Sequence, residues 1–456
     1  MLARGFKFAA AGLALTAVSW LAMVIWWQSR PQVIDAGDVL LGLVALPAAV
    51  CALALLGWFV WRRVTAPPAP VAAASPAAPA QAAAAVAVPE ALVLSIGVAT
   101  AAGADPDAVI EAIAAGDTQP EPDADFIDTE GLPVRLKRID DLEFDELDAW
   151  LADDAARVPN AFRRALAMLP QAMDPVLRDL VDAMPPPASV HAAPRALPIT
   201  VRALIPEGWD ESMLAYAKRW IEHRIALAWA ETPPPVKLTS AREDASAHTE
   251  LAAWLNDATQ VRALMLLSVH SAVDEAAIEQ LDLDGRLFRH DRAEGVVPGE
   301  AAACVLFARA GMTLGMDVLA RLALPLRAQR DAAPRAAGRV DAGVLEGLIE
   351  RSFHASQCAA EQVACLVCDG DVRPSRGIEV ASAMNSQLPQ LDPVSDRIGI
   401  GAALGDLGAA GATLALALAA SQVRALQKPV ALAAIADPTQ RSLALLQPYL
   451  SEPATA

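Results

Sequence analysis

Two cysteines stand at a spacing that can hold a metal ion. Cys365 and Cys368 are separated by two residues, and His354 and Cys358 precede them closely. Thiolate sulfur and imidazole nitrogen are the ligands that zinc prefers in tetrahedral sites. The two cysteines also belong to a short apolar run that predicts a buried strand. Because side chains alternate between the faces of a strand, we expect them on opposite faces, as core residues rather than metal ligands.

Three aspartates form a second candidate set. Asp369, Asp371 and Asp406 would offer carboxylate oxygens to a hard cation if the fold brought them together. The glycines near them, including Gly401 and Gly405, lack the spacing of a phosphate-binding loop and are better explained by tight turns. The six histidines are dispersed along the chain, and we interpret each as a surface or hydrogen-bonded core residue. We therefore predict neither a metal site nor a cofactor.

The composition excludes several classes of protein. The chain has 456 residues, a net charge of −18 and 55% hydrophobic residues, of which few are aromatic, and its mean hydropathy is +0.34. The acidic balance argues against nucleic-acid binding, which depends on Lys and Arg contacts to phosphate. Five cysteines in a chain of this length do not make a disulfide scaffold. The positive hydropathy instead indicates membrane segments.

Two uncharged stretches near the start predict a transmembrane hairpin. Residues 8–29 and 39–61 contain 22 and 23 residues without a charge, enough to cross a hydrocarbon core of about 30 Å as helices. A cleaved signal peptide is the alternative for the first stretch. The apolar run is long for one, and a second span follows at once.

The flanking charges orient this hairpin, which we assign to residues 1–65. Basic residues precede the first span and follow the second, so both chain ends and the main domain are expected in the cytoplasm, at a bacterial inner membrane. The hairpin carries a charge of +3 and the rest of the chain −21. Residues 66–90 include 13 alanines and 6 prolines, which predicts a semi-extended linker; an Ala-rich helix over part of it is the alternative.

Residues 91–456 read as one α/β domain. Short apolar runs predict buried strands at 91–97, 197–204, 263–269, 302–307, 363–367 and 430–435. Between them, helices are predicted at 106–115, 143–153, 213–229, 249–256, 343–355 and 413–426. Asp105 is a candidate cap for the first helix and Gly116 its stop. This alternation favours a sheet covered by helices on both faces.

Four blocks of this domain resemble the β-ketoacyl synthase branch of the thiolase-like condensing enzymes. They are a strand–turn–helix at 92–116, a Gly-Val-Val-Pro-Gly-Glu-Ala-Ala block at 295–302, a loop at 369–379 and a Gly-Asp-Leu-Gly-Ala-Ala-Gly turn at 405–411. The resemblance implies a thiolase-like layered fold with duplicated βαβαβ halves and a homodimer or heterodimer. It covers nearly all of residues 91–456.

The catalytic residues that the resemblance implies are absent. It places Ala247 at the nucleophilic cysteine, Asp369 and Asp406 at the two histidines, and Gly401 at a lysine. No cysteine lies between residues 51 and 304, so no shift of alignment restores one. An ionised aspartate accepts hydrogen bonds but cannot donate one to an oxyanion.

Ser246 and His248 remain as fallback candidates for a nucleophile or a base beside the helix start. A helix-capping or polar-turn role is the simpler interpretation of both residues.

We therefore expect a membrane-anchored, catalytically inactive relative that acts as a binding or scaffolding component. By analogy it would serve a bacterial envelope machine such as a type VI secretion system. The alternative is a membrane-tethered acyltransferase or condensing enzyme of fatty-acyl or polyketide metabolism with a non-standard site. The expected contacts are membrane lipid through the hairpin and a protein partner of unknown identity.

Overall fold

The computed structural model describes residues 90–184, 196–229, 231–241, 245–257, 263–331 and 340–450, without the side chains of residues 245 and 246. The transmembrane hairpin and the linker up to residue 89 lie outside the described residues, so both stay predictions. Within the described ranges, one helical stretch, Gly408–Leu426, is long and apolar enough to cross a membrane. It is 78% buried inside the protein over its most apolar window, as a core helix is.

Strands and helices follow one another along these ranges. The strands are β1 (Glu90–Thr100), β2 (Glu121–Ile127), β3 (Pro133–Leu136), β4 (Ile199–Pro206), β5 (Val236–Ala241), β6 (Ala263–Ser271), β7 (Glu300–Arg309), β8 (Ala320–Ala323), β9 (Leu326–Gln329), β10 (Cys365–Cys368), β11 (Arg397–Gly399), β12 (Val430–Ala434) and β13 (Gln440–Gln447). The helices are α1 (Pro106–Ala115), α2 (Asp145–Leu151), α3 (Asn160–Ala183), α4 (Glu211–Ala228), α5 (Ala245–Asn256), α6 (Glu275–Leu283), α7 (Gly343–Ser356), α8 (Pro374–Gln387), α9 (Ile400–Leu404) and α10 (Gly411–Leu426). Short 3₁₀ turns occupy Ala152–Asp154, Ala360–Gln362 and Gly408–Ala410.

The strand order contains the same pattern twice. The main sheet runs β11-β10-β12-β13-β8-β1-β7-β6-β4-β5, with β9 added beside β13 and β2 and β3 forming a separate hairpin. In the first half, the five strands β1, β4, β5, β6 and β7 lie in the order 3-2-4-5-1, and the fifth is antiparallel to its neighbours. Strands β8, β10, β11, β12 and β13 repeat this arrangement in the second half. The predicted duplicated, layered α/β fold is confirmed.

Alternate residues of the strands face different helix layers. In β7, Ala303 packs with α5 and α10, whereas Cys304 packs with α3 and α4. In β10, Cys365 faces the cluster that contains α5 and α10, and Cys368 faces α7 and α8. Helices α5 and α10 therefore form a layer shared by both halves. The two cysteines point to opposite faces, as predicted.

Helix α1 has the bounds and the caps that its sequence predicts. The Asp105 carboxylate accepts a hydrogen bond from the Asp107 amide at 3.1 Å, and Gly116 ends the helix at φ 77°. The carboxylate satisfies one of the backbone donors left open at a helix start, and glycine adopts the left-handed conformation without steric cost.

Helix α3 was not predicted. Pro170 and Pro175 lie inside its 24 residues, and proline ordinarily breaks a helix because it removes an N–H donor to the carbonyl four residues earlier. Here the carbonyl of Leu166, which Pro170 leaves open, accepts the indole N–H of Trp220 on α4 at 3.0 Å. Burial of one face of the helix against β1 and β7 stabilises the rest.

Candidate functional site

A cleft of about 800 Å³ opens at the carboxyl ends of three strands. Pro206, Ala241 and His270, at or next to the ends of β4, β5 and β6, line it. Its wall mixes apolar residues, among them Phe162, Trp209 and Met213, with charged ones. The charged lining residues are Glu207, Asp274, Arg286, Arg373 and Asp406. Ligands of open α/β sheets bind at the carboxyl ends of strands, so this cleft is the candidate site.

Helix α5 carries the position that the resemblance assigns to the nucleophile. Ala247 is completely buried in the apolar cluster of the shared helix layer. Ser246 falls on the same helix, but its side chain lies outside the described residues. His248 is completely buried, and its Nδ1 forms a hydrogen bond with the Ser442 hydroxyl on β13. Neither Ala247 nor His248 lines the cleft, which argues against His248 as its base.

Burial, followed by the positive charge of Arg327, lowers the pKa of His248 to about 4. The ring is thus neutral in the folded protein, whereas the unfolded chain takes up a proton as the pH falls through about 6.5. Unfolding then binds protons between about pH 6.5 and 4, so stability falls as the pH falls through this window.

We expect His248→Asn to reduce this pH dependence. Relative to the variant, the wild-type full chain should lose roughly 2–3 kcal/mol of unfolding free energy between pH 7.5 and 4.5. Urea unfolding followed by tryptophan fluorescence measures the difference. The same substitution at the exposed His354 on α7 is the control. Parallel pH profiles for wild type and His248→Asn would contradict the assignment.

The carboxylate of Asp369, after β10, accepts backbone N–H groups. Ile435 and Ala436 donate to its Oδ1 at 2.6 and 3.2 Å, and the side chain is buried. A neutral histidine placed there would meet two donors at this point. The residue therefore anchors the turn after β12 and has the opposite hydrogen-bonding character from an oxyanion donor.

Gly401, the position assigned to a lysine, lies against the same loop. A Cβ at this position would overlap the carbonyl oxygen of Asp369 and lie 3.1 Å from the Cα and N atoms of Asp371. No side chain fits there without movement of the backbone. The packing of this loop thus accommodates glycine at position 401 and leaves no space for a lysine side chain.

The three aspartates do not form a cation site. Asp371 pairs with Arg373 at 2.7 Å, Asp369 faces backbone amides, and Asp406 lines the cleft. Over the part of the chain that the structure describes, no group of three or more His, Cys, Asp or Glu residues is arranged to hold a metal ion.

Asp406 and His270 are brought together at the cleft. Asp406 accepts the amide of Gly408 at 3.2 Å, and both residues line the cleft with His270. A Cβ at position 408 would lie 2.5 Å from Nδ1 of His270, so glycine permits the ring to pack here. Burial lowers the pKa of His270, while the charges of Asp406 and Glu300 act in the opposite direction.

His270 corrects one interpretation of the sequence. Neither of its ring nitrogens has a hydrogen-bond partner among the described residues, so it is neither a surface residue nor a hydrogen-bonded core residue. The local signal was a polar pair, His270-Ser271, at the end of an otherwise apolar strand. Its closeness to Asp406 depends on how the second half of the fold packs. The distance between the two residues along the sequence does not predict it.

Glu300, in the predicted Pro-Gly-Glu block, is a structural anchor behind the cleft. It is completely buried and pairs with the guanidinium of Arg164, with Nε at 2.8 Å. Its carboxylate also accepts the Ser271 hydroxyl at 2.8 Å and the Ile139 amide at 2.7 Å. With its acceptor positions occupied, Glu300 fixes the end of β6, on which His270 lies.

Comparisons with known proteins find similarity in structure. No protein-family model matches the chain, and no curated protein matches its sequence. One chain of a structure described as a type II polyketide synthase acyl-carrier protein in complex with its ketosynthase gives a TM-score of 0.57 at 10% identity. The match covers 79% of this chain and 100% of that chain. A β-ketoacyl synthase from Burkholderia phymatum gives 0.56 at 11% identity, with 79% and 100% covered.

The oxazolomycin ketosynthase domain of Streptomyces albus gives a TM-score of 0.56 at 13% identity, covering 81% of this chain and 76% of that one. Identities this low show a common fold and not a common activity. Together with the duplicated strand order, they show that the described part of this chain has the thiolase-like fold of the β-ketoacyl synthases.

Proposed function

We propose that the chain is a membrane-anchored, catalytically inactive relative of the β-ketoacyl synthases that acts by binding. The observation that carries the proposal is the start of α5. There Ala247 occupies the position that the resemblance assigns to the nucleophile, and it is enclosed in the apolar core. An alanine side chain cannot take an acyl group, so the family's first chemical step has no acceptor.

Three buried thiols of the described residues, Cys304, Cys365 and Cys368, do not replace this nucleophile. Burial raises the pKa of Cys365 to about 12 and of Cys368 to about 11, and it raises that of Cys304 still further. A thiol with such a pKa is almost entirely protonated at neutral pH and therefore weakly nucleophilic. Asp406, which the resemblance places at one of the family's histidines, offers a carboxylate to the cleft instead of a donor for an oxyanion.

The binding role uses the cleft and the surface of the domain. In the proposal, the hairpin at residues 1–65 holds the domain at the inner membrane. A homodimer or a heterodimer forms through the thiolase-like domain, in which β5 ends the order of paired strands. By analogy the partner belongs to an envelope machine such as a type VI secretion system.

Acyl transfer tests the proposal directly. The full chain in lipid nanodiscs is incubated with radiolabelled acyl-coenzyme A and with acyl-loaded carrier protein, and its mass is measured after denaturation. We expect no covalent adduct and no release of the thiol carrier above the rate with empty nanodiscs. The controls are Ser246→Ala and Ala247→Ser, which remove or add a hydroxyl at the helix start.

A stable wild-type adduct on Ser246 would overturn the proposal in favour of the alternative, a membrane-tethered acyltransferase or condensing enzyme. Carrier release that persists in Ser246→Ala would also favour an enzyme, with its site at other residues. In either case the membrane anchor and the dimer would stand as separate questions.

A further inference from the structure

The His270 side chain lies at the cleft with both of its ring nitrogens unpaired. Its Nδ1 and Nε2 are covered by protein and have no hydrogen-bond partner among the described residues. Buried polar atoms are nearly always paired, and a neutral imidazole carries one donor and one acceptor. The site thus retains a donor and an acceptor that the folded chain itself does not use.

Asp406 provides a neighbouring acceptor. One of its carboxylate oxygens accepts the Gly408 amide at 3.2 Å, and the residue is partly exposed to the cleft. The second buried carboxylate near His270, that of Glu300, is already occupied by Arg164, Ser271 and Ile139. At the His270 end, the cleft therefore combines an imidazole that burial keeps neutral with one available carboxylate. Its lining also includes Glu207, Asp274, Arg286 and Arg373; Arg373 pairs with Asp371 at 2.7 Å, and Asp274 accepts the amides of Ala161 and Ala276.

This combination favours an uncharged group at the His270 end of the cleft. An anionic head group would be repelled by Asp406 and would gain little from an uncharged ring. A hydroxyl group fits both partners, because it donates to the carboxylate and accepts an N–H from the imidazole. Phe162, Trp209 and Met213 supply an apolar wall for the rest of the ligand.

We propose that the cleft binds an uncharged ligand with an apolar body and an alcohol hydroxyl, held between Asp406 and His270. Because both nitrogens are covered by protein, the ring turns about its Cβ–Cγ bond on binding. A half-turn exchanges the positions of Nδ1 and Cδ2, so a nitrogen takes a new position while the ring occupies the same space. This inference rests on the proposed function, because a binding cleft needs a ligand, and it names the class of that ligand.

Calorimetry with matched probes tests the inference. The full chain in nanodiscs is titrated with 4-phenylbutan-1-ol, with its methyl ether and with 4-phenylbutanoate, and protein-free nanodiscs give the blank. We expect the alcohol to bind about tenfold more tightly than the ether or the carboxylate, the size of one hydrogen bond to a charged group. Equal binding of alcohol and ether, or tighter binding of the carboxylate, would overturn it.

Two variants locate the effect. His270→Phe keeps a ring but no nitrogen, and Asp406→Asn removes the charge; each should weaken alcohol binding about tenfold and leave the ether unchanged. His223→Phe, on α4 beside Trp220 and outside the cleft, is the matched control. Thermal unfolding confirms that each variant is folded. If His270→Phe is not folded, the affinity of Asp406→Asn for the alcohol tests the assignment.

Wild-type affinity for the alcohol in both variants would refute the assignment. The result is separate from the acyl-transfer test, because a covalent adduct would refute the proposed function while leaving the preference for an alcohol intact. Loss of that preference would refute the ligand class while leaving an inactive binding protein.

Discussion

Replacing Glu379 by alanine is expected to lower the free energy of unfolding by about 3–5 kcal/mol. Glu379 on α8 is completely buried and binds the completely buried guanidinium of Arg441 at 2.8 and 3.0 Å. Arg330 adds a third contact at 2.7 Å. The alanine variant would leave these guanidinium groups close together in the interior without their shared carboxylate, and removing one partner of a buried pair exposes its full desolvation cost.

The pKa of the neighbouring Arg376 shows that this environment disfavours positive charge. Burial, followed by the charges of Arg373 and Arg441, lowers its pKa to about 10, and Glu379 opposes that shift. Urea unfolding of the full chain measures the loss. Glu379→Gln, which keeps one acceptor, should lose less, and Glu350→Ala on the exposed side of α7 should stay within about 0.5 kcal/mol. A loss for Glu379→Ala no larger than that of Glu350→Ala would show that the pair contributes nothing.

Gly97→Ala is expected to destabilise the first half of the fold by about 3 kcal/mol. Gly97 lies in β1, where a Cβ would overlap the carbonyl oxygen of Ala172 on α3 and lie 3.1 Å from its carbonyl carbon. Because the obstacle is helix backbone, no rotamer change relieves it, and α3 must move away from the sheet. The shift in the denaturant midpoint measures this cost.

Gly347→Ala is the matched control for this substitution. Gly347 lies within α7, and a Cβ there would meet nothing within 4 Å. Alanine is the better helix former, so we expect a gain of about 0.5–1 kcal/mol. Opposite signs for the same chemical change would demonstrate that contact, and not the removal of glycine, determines the result. A gain at both positions would contradict the packing of α3 on β1.

Local signals in the sequence predicted the parts of the fold that local physics determines. Asp105 and Gly116 bounded α1 because capping involves neighbouring residues, and the apolar run at 302–307 marked the buried β7. Helix α3 escaped prediction because the carbonyl of Leu166, which Pro170 leaves open, is satisfied by Trp220, 54 residues further along the chain, and because the helix is buried against the sheet. Such compensation has no signature at the proline itself.

The distinction between local and distant determinants also applies to the candidate site. The alanine at position 247, which the resemblance matches to the nucleophile, could be identified from the sequence, because no cysteine lies between residues 51 and 304. The role of Asp369 did not, since its partners Ile435 and Ala436 belong to another strand connection. His270 was assigned to the wrong class because a histidine's partners, or their absence, are set by residues distant in the chain.

The position of β1 in the sheet has a consequence for synthesis of the chain. This strand is the first of the domain to leave the ribosome, yet its neighbours are β7 and β8, which begin at residues 300 and 320. At about 5–20 residues per second, β1 waits roughly 10–40 s for its first partner. During that time an apolar strand with two unpaired edges is open to wrong pairing. We therefore expect the nascent chain to depend on a chaperone until β7 emerges.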